Sequence, residues 1–303
     1  MSHSHIHVHD HKDLKGRKLL FTIILNIVIT ISQTIGGLVS GSLSLLSDAL
    51  HNFSDVVSLI VSYVADRYSK KEASSKRTFG YKRAEILAAF VNALSLILVA
   101  FYLIYEAIIR FIHPKEIESE LVIWLALLGI VANGLSVLLL RKDAKENINI
   151  RSAYLHLFSD MAASIAVLIG GLLMKYYNWL WVDSVLTVLI ATYLLFIGYD
   201  LLKISFKILM LFTPEGLNLE EISQAINKFP EIQNVHHMHV WQLNDKEIHL
   251  EAHAEFHEDI SISQFDGILY NVEELLYNEY GINHVNIQPE YSKDDPKDII
   301  VQD

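Results

Sequence analysis

Cysteine is absent from all 303 residues, so neither a disulfide nor a thiolate metal site can form. Basic residues are nearly missing from one end. From Thr213 onward four Lys or Arg stand against nineteen Asp or Glu, whereas the residues before it carry twenty against sixteen. So acidic a tail argues against nucleic acid as a partner and is compatible with metal cations. A cleavable signal peptide is not expected, because the first apolar run follows a polar segment and is long enough to span a bilayer. What the chain has in plenty is apolar side chain. Hydrophobic residues make up 52% of it against 19% charged, and the mean hydropathy is +0.31, too apolar for an ordinary soluble protein of this size. The uneven charge therefore separates a part in lipid from a part in water.

Six apolar runs lie at about 19–39, 43–65, 84–108, 121–140, 153–174 and 180–202. Each approaches the roughly 20 residues that cross a lipid bilayer as a helix. Lys12, Lys15, Arg17 and Lys18 precede the first run. Arg67, Lys70, Lys71, Lys76, Arg77, Lys82 and Arg83 fill the second loop, and Arg141, Lys142, Lys145 and Arg151 the fourth. The alternate loops, Gly41-Ser42, Glu116–Glu120 and Tyr176–Trp179, are almost bare of basic charge. Positive charge stays on the cytoplasmic side, so both termini are expected in the cytoplasm and the protein in the cell inner or plasma membrane.

Two of these runs carry nearly the same six letters, Leu50-His51-Asn52-Phe53-Ser54-Asp55 and Leu155-His156-Leu157-Phe158-Ser159-Asp160. In each, a histidine and an aspartate stand four apart and so share one helix face. Ionisable groups within membrane helices are costly and mark ion or substrate paths. The bland alternative is that each pair hydrogen-bonds within its own helix and glues the bundle. Two aspartates in hydrocarbon favour a divalent cation instead, and two imidazoles with two carboxylates suit tetrahedral zinc. Asp48, seven residues before Asp55 on the same face, is either a partner behind the ligands or an entrance carboxylate, or else a helix cap. The second and fifth helices run antiparallel in this scheme, the relation expected of inverted halves around a central site. An intramembrane metalloprotease would need a glutamate beside the histidines and an open metal position; neither is there, so the chain is not read as an enzyme.

The first eleven residues place histidine at every second position from His3 to His11. Such tracts bind metal loosely, and the interleaved Ser, Ile and Val are unlike the plain run of a purification tag. Beyond Thr213-Pro214 the pattern is that of a small α+β domain. Asn218 is expected to cap a helix through Phe229, Val235–Leu243 and Glu247–Phe256 to form a hairpin around Asn244-Asp245, and Ser263–Tyr280 and Val285–Glu290 to add a helix and a strand.

Those segments carry a likeness. Gly41–Asp55, Arg77–Glu85, Val235–Trp241 and Val285–Glu290 resemble motifs spread over nearly the whole chain of the cation diffusion facilitator family. Within it the chain is similar to the zinc/cadmium-resistance exporters, which carry His-Asp on both helices. The resemblance implies a homodimer, exchange of Zn2+ for protons (H+), Cd2+ or Co2+ as alternative substrates, and a metallochaperone-like (ferredoxin-like) αββαβ cytoplasmic domain. It also implies a cytoplasmic zinc site at His236, His253 and Glu290, with His237, His239, His249, His257, His284 and Asp266 as further candidates against a merely solvated His-rich face. Some bacterial relatives hold zinc in the second loop; Ser75–Lys82 has no histidine, so that site is expected to be absent. The chain is thus expected to comprise a His-rich tail (1–18), an α-helical membrane domain of six transmembrane helices (19–212) and a metal-binding, dimerising domain (213–303). The alternative to a zinc exporter is a membrane-bound sensor that binds zinc without moving it.

Overall fold

The computed structural model describes residues 10–69, 74–141, 148–244 and 246–301. His3, His5, His7 and His9, and with them Lys70, Lys71, Lys142, Lys145 and Asp245, lie outside the described residues. The chain divides into two compact units, one holding the residues up to Ile60 with Asn92–Asp200, the other Val61–Val91 with Leu201 onward.

Six long helices come first: α1 (Asp10–Ser40), α2 (Leu43–Ser69), α3 (Ala84–Ile112), α4 (Ser119–Leu140), α5 (Ile148–Tyr177) and α6 (Trp181–Leu209). Among the described residues, α3, α4, α6 and the Tyr154–Tyr177 part of α5 are long and apolar enough to cross a membrane, while α1 offers the shorter apolar stretch Ile24–Ser40. α2 falls short because its core face is loaded with Ser44, Ser47, Asp48, His51, Asn52 and Ser54, all buried or nearly so. The helical unit is inverted relative to a soluble protein. Ile31, Ile35, Leu98, Phe101, Leu189 and Phe196 are exposed, whereas Gln33, Asp48, Asn52, Asn133, Asp160 and Asp183 are buried. Apolar surface on that scale would drive aggregation in water and suits lipid, where polar groups must find partners inside the bundle.

Two close approaches tighten this interior. A β-carbon on Gly37 would sit 3.0 Å from the backbone of Leu46, so α1 and α2 leave no room for a side chain there. One on Gly129 of α4 would meet Ser164 Oγ at 2.8 Å and Gln33 Nε2 at 2.9 Å. Glycine lets the polar side chains of Gln33 on α1 and Ser164 on α5 converge at that point.

The start of α2 is fastened across the unit. Asp183, 1% exposed on α6, accepts hydrogen bonds from Ser42 Oγ (2.6 Å), Leu43 N (2.8 Å), Ser44 N (3.2 Å) and Ser44 Oγ (2.6 Å). A carboxylate at a helix N-terminus meets free N–H groups and the positive end of the helix dipole, so Asp183 serves α2 as a cap supplied from another helix.

The second unit holds α7 (Leu219–Ile226), β1 (Ile232–Gln242), β2 (Ile248–Phe256), α8 (Ile262–Tyr280) and β3 (His284–Glu290). Asn218 caps α7 by accepting from Glu220 N and Glu221 N. Ser261 and Gln264 form a capping box on α8, which Gly281 ends in the left-handed conformation at φ 68°. The sheet order is β1-β2-β3, with β1 and β2 antiparallel and β2 and β3 parallel. As expected of the hairpin, Asn244 Oδ1 accepts from Lys246 N and Glu247 N, both at 2.9 Å. The core packs Ile222, Ile226, Val235, Leu250, Ala254 and Leu276 between sheet and helices, each larger one worth about 1.5–3 kcal/mol of burial.

Asp183→Ala strips four hydrogen bonds from the start of α2 and is expected to destabilise the protein in detergent by about 2–3 kcal/mol. Asp183→Asn, which still caps, should lose clearly less. Thermal unfolding followed by intrinsic fluorescence checks this; equal melting of the Ala variant and the wild type would refute the cap.

Candidate metal centres

His51 and Asp55 lie one turn apart on α2, and His156 and Asp160 one turn apart on α5. The fold brings all four together. His156 Nε2 stands 3.3 Å from Asp55 Oδ2 and 3.5 Å from Asp160 Oδ2. His51 Nε2 stands 3.8 Å from Asp55 Oδ2 and 4.0 Å from Asp160 Oδ1. The two imidazoles meet edge to face with ring centroids 5.8 Å apart. A tetrahedral zinc with bonds of 2.0–2.1 Å sets its ligand atoms about 3.3 Å apart, and the His156 separations match this. His51, His156 and Asp160 offer ligand atoms all within 4.8 Å of one another, a group that does not take in Asp55, which approaches the two histidines alone among the described residues. Asp160 is buried, while Asp55 and His156 are partly open, with side chains 37% and 38% exposed. Asp55 Oδ2, Asp160 Oδ2 and His51 Nδ1 lack a hydrogen-bond partner.

Asp48 does not cap α2, whose N-terminus belongs to Asp183. Its Oδ2 accepts from Gln33 Nε2 of α1 at 3.3 Å and from Ser164 Oγ of α5, one turn beyond Asp160, at 3.5 Å. Gln33, Ser164 and Tyr193, whose ring lies 6.1 Å from that of His51, were not foreseen from the sequence. A glutamine within an apolar run was the signal that could have found the first.

The sheet forms a second group. His236 on β1 and His253 on β2 are register partners, and Glu290, the last residue of β3, lies across from Glu255. His253 Nδ1 is 3.0 Å from Glu290 Oε1 and His236 Nε2 is 3.2 Å from Glu290 Oε2. Asp295, not anticipated, joins them from the segment after β3: the four residues offer ligand atoms that all lie within 4.8 Å of one another. Burial pushes the Glu290 carboxyl up, but Lys293, His253 and Lys297 outweigh it and hold the group below its usual range. Burial lowers His253, with Glu290 opposing, which favours the neutral imidazole a metal needs. Lys297 and then Lys293 hold Asp295 well below the ordinary carboxylate range.

The other candidates are scattered. His237, at φ 48° in a bulge of β1, has its ring 4.7 Å from that of His253 and 5.1 Å from that of His239. His249 is buried against Trp241 and lies 4.4 Å from the His284 ring. His257 and Asp266 are exposed and belong to neither group of potential ligands among the described residues. In the second loop Lys82 Nζ makes a 2.6 Å ion pair with Glu247 and Phe79 meets the His249 ring edge to face.

Comparison with known proteins agrees with both parts. The family described as "Cation efflux transmembrane domain" matches residues 19–210, and "Cation efflux protein, cytoplasmic domain" matches residues 214–292. The chain is 39% identical over 287 residues to a "Cadmium, cobalt and zinc/H(+)-K(+) antiporter" of Bacillus velezensis, covering 94% of this chain and 91% of that one. It is 35% identical over 297 residues to "Zinc transporter ZitB" of Pectobacterium atrosepticum (97% and 91% covered) and 33% identical over 295 residues to that of Escherichia coli (96% and 93% covered). With both of its parts matched and relatives similar along nearly its full length, the chain belongs to the cation efflux family, the cation diffusion facilitators.

Proposed function

We propose that this protein is a zinc efflux transporter that exchanges Zn2+ for protons across the cell membrane, with His51, Asp55, His156 and Asp160 as its transport site. The observation that carries the reading is the convergence of two His–Asp pairs in which one buried oxygen of each carboxylate, Oδ2, lacks a hydrogen-bond partner. Relatives named as zinc transporters and as a zinc antiporter support it; a sensor that binds zinc without moving it has no such support. Cd2+ and Co2+, which the Bacillus relative's name includes, are the natural alternative substrates.

The reading extends to the architecture: six spans, both termini in the cytoplasm, and a homodimer joined through residues 213–303. The His-rich residues 1–18 would gather metal, and His236, His253 and Glu290 would hold a second zinc in the cytoplasmic domain. Asp48 would stand behind the transport site, steadied by Gln33 and Ser164.

Exchange follows from charge. Two carboxylates and two neutral imidazoles around Zn2+ sum to zero, a load that hydrocarbon tolerates. Once the ion has left, two bare carboxylates in the same place are costly. Protons restore neutrality, and zinc can return only when its ligands give them up. Each zinc therefore moves against one or two protons through the same site, with no separate proton path.

Three outcomes test this in vesicles containing the purified protein. Asp55→Ala or Asp160→Ala should lower zinc flux by about 100-fold or more while the protein still folds; wild-type flux would remove these residues from the ion path. A pH-sensitive dye trapped inside should report protons leaving as zinc enters, and zinc flux without a pH change in weak buffer would point to a uniporter. His51→Asp exchanges a borderline imidazole for a hard oxygen and should raise manganese flux relative to zinc; an unchanged ratio would show that His51 does not set selectivity.

A further inference from the structure

The segment that follows β3 returns to the sheet and is fastened there by its backbone. The bulge of β1 turns two N–H groups away from β2, and these bond the segment instead: His237 N donates to Asp298 O at 3.0 Å and Met238 N to Ile299 O at 2.7 Å. Asn234 Nδ2 adds a bond to Lys297 O at 3.2 Å, and Ile299 packs against the sheet core. So held, the segment delivers three charged side chains to His236, His253 and Glu290.

One is Asp295, whose Oδ1 lies 3.8 Å from His236 Nε2. The others are lysines. Lys293 Nζ contacts Glu290 Oε1 and stands 3.1 Å from Asp295 Oδ2. Lys297 Nζ contacts Asp295 Oδ1 and stands 3.2 Å from Glu255 Oε2 and 3.4 Å from Glu290 Oε2. Two ammonium groups bring the same charge as one divalent cation. They leave a deficit all the same: His236 is fully buried, yet neither of its ring nitrogens has a hydrogen-bond partner, and His253 Nδ1 also lacks one. The lysines answer the carboxylates but not the imidazoles. A zinc ion answers both.

Resting on the reading of His236, His253 and Glu290 as a zinc site, we propose that Asp295 is its fourth ligand and that Lys293 and Lys297 are built-in counter-ions that zinc must displace. Zinc entry is then an exchange: the ion takes the oxygens of Glu290 and Asp295, and both ammonium groups swing out on flexible stems. The segment can stay in place throughout, since its backbone bonds and Ile299 do not depend on those side chains. The exchange lowers the affinity of the site below what its four ligands would otherwise give, so that it fills only when cytoplasmic zinc is raised.

Zinc titration of the purified full chain against a chromophoric chelator tests this, with His236→Ala identifying the ion bound at this site. The Lys293→Met Lys297→Met variant is expected to bind that ion about tenfold more tightly, and Lys293→Arg Lys297→Arg, which keeps the charge and grips carboxylates more persistently, no more tightly than the wild type. Asp295→Asn should weaken it at least about tenfold. If His236→Ala and the wild type bind the same number of ions, the underlying site reading fails. If His236→Ala loses an ion but the double Met variant binds no more tightly than wild type, the counter-ion exchange is overturned. Unchanged affinity in Asp295→Asn removes the fourth ligand.

Discussion

A carboxylate buried among helices in lipid must be compensated by something, and the helical unit is arranged around three answers to that demand. Asp183 is satisfied by the backbone and hydroxyls at the start of α2. Asp48 is satisfied by the side chains of Gln33 and Ser164. Asp160, the third, has His51 and His156 as its ion-pair partners among the described residues, and its Oδ2 is left without a hydrogen bond. The first two are closed by neighbours and need nothing from outside. The third is closed only by whatever arrives. That contrast separates a structural aspartate from one proposed to bind an ion more sharply than burial does, since all three are 2% exposed or less.

Much of this could be read from the letters because helices and strands repeat on short periods. His51 with Asp55 and His156 with Asp160 stand out since i and i+4 share a face, and the similar hexads pair the two helices. The alternation from Ile248 to Phe256 sorted the strand correctly, apart from His249, which is buried on the face assigned to polar residues because Trp241 and His284 cover it. What stayed hidden depends on contacts distant in sequence or on irregular backbone. Asp183 finds its partners some 140 positions earlier in the chain, which no local pattern announces. Asp295 sits in an acidic, proline-containing stretch without periodicity, and its segment is held to the sheet by two N–H groups freed at the β1 bulge, by Asn234 and by Ile299. The apolar runs located the helices but not their ends, since α1 begins at Asp10, well before the first run.

The two proposed metal centres would solve one coordination problem in different media. In the helical unit the ligands sum to zero charge with a divalent ion, as hydrocarbon demands, and no lysine is among their ion-pair partners in the described residues. In the sheet domain Glu290 is buried but Lys293 and Lys297 reach it from solvent on partly exposed side chains, so carboxylates and lysines can crowd around the imidazoles. Arginine would suit that crowd less well, because its planar fork binds carboxylates more persistently than an ammonium does.

The fastening of α2 has a mechanical meaning. Its first turn is tied to α6 through Asp183, while His51 and Asp55 lie two to three turns farther along the same helix. A slide of α2 along its axis would break all of those hydrogen bonds at once. A tilt about the tied end would disturb them far less and would still carry the histidine and aspartate sideways, so the clamp allows α2 to swing about Ser42 more readily than to slide.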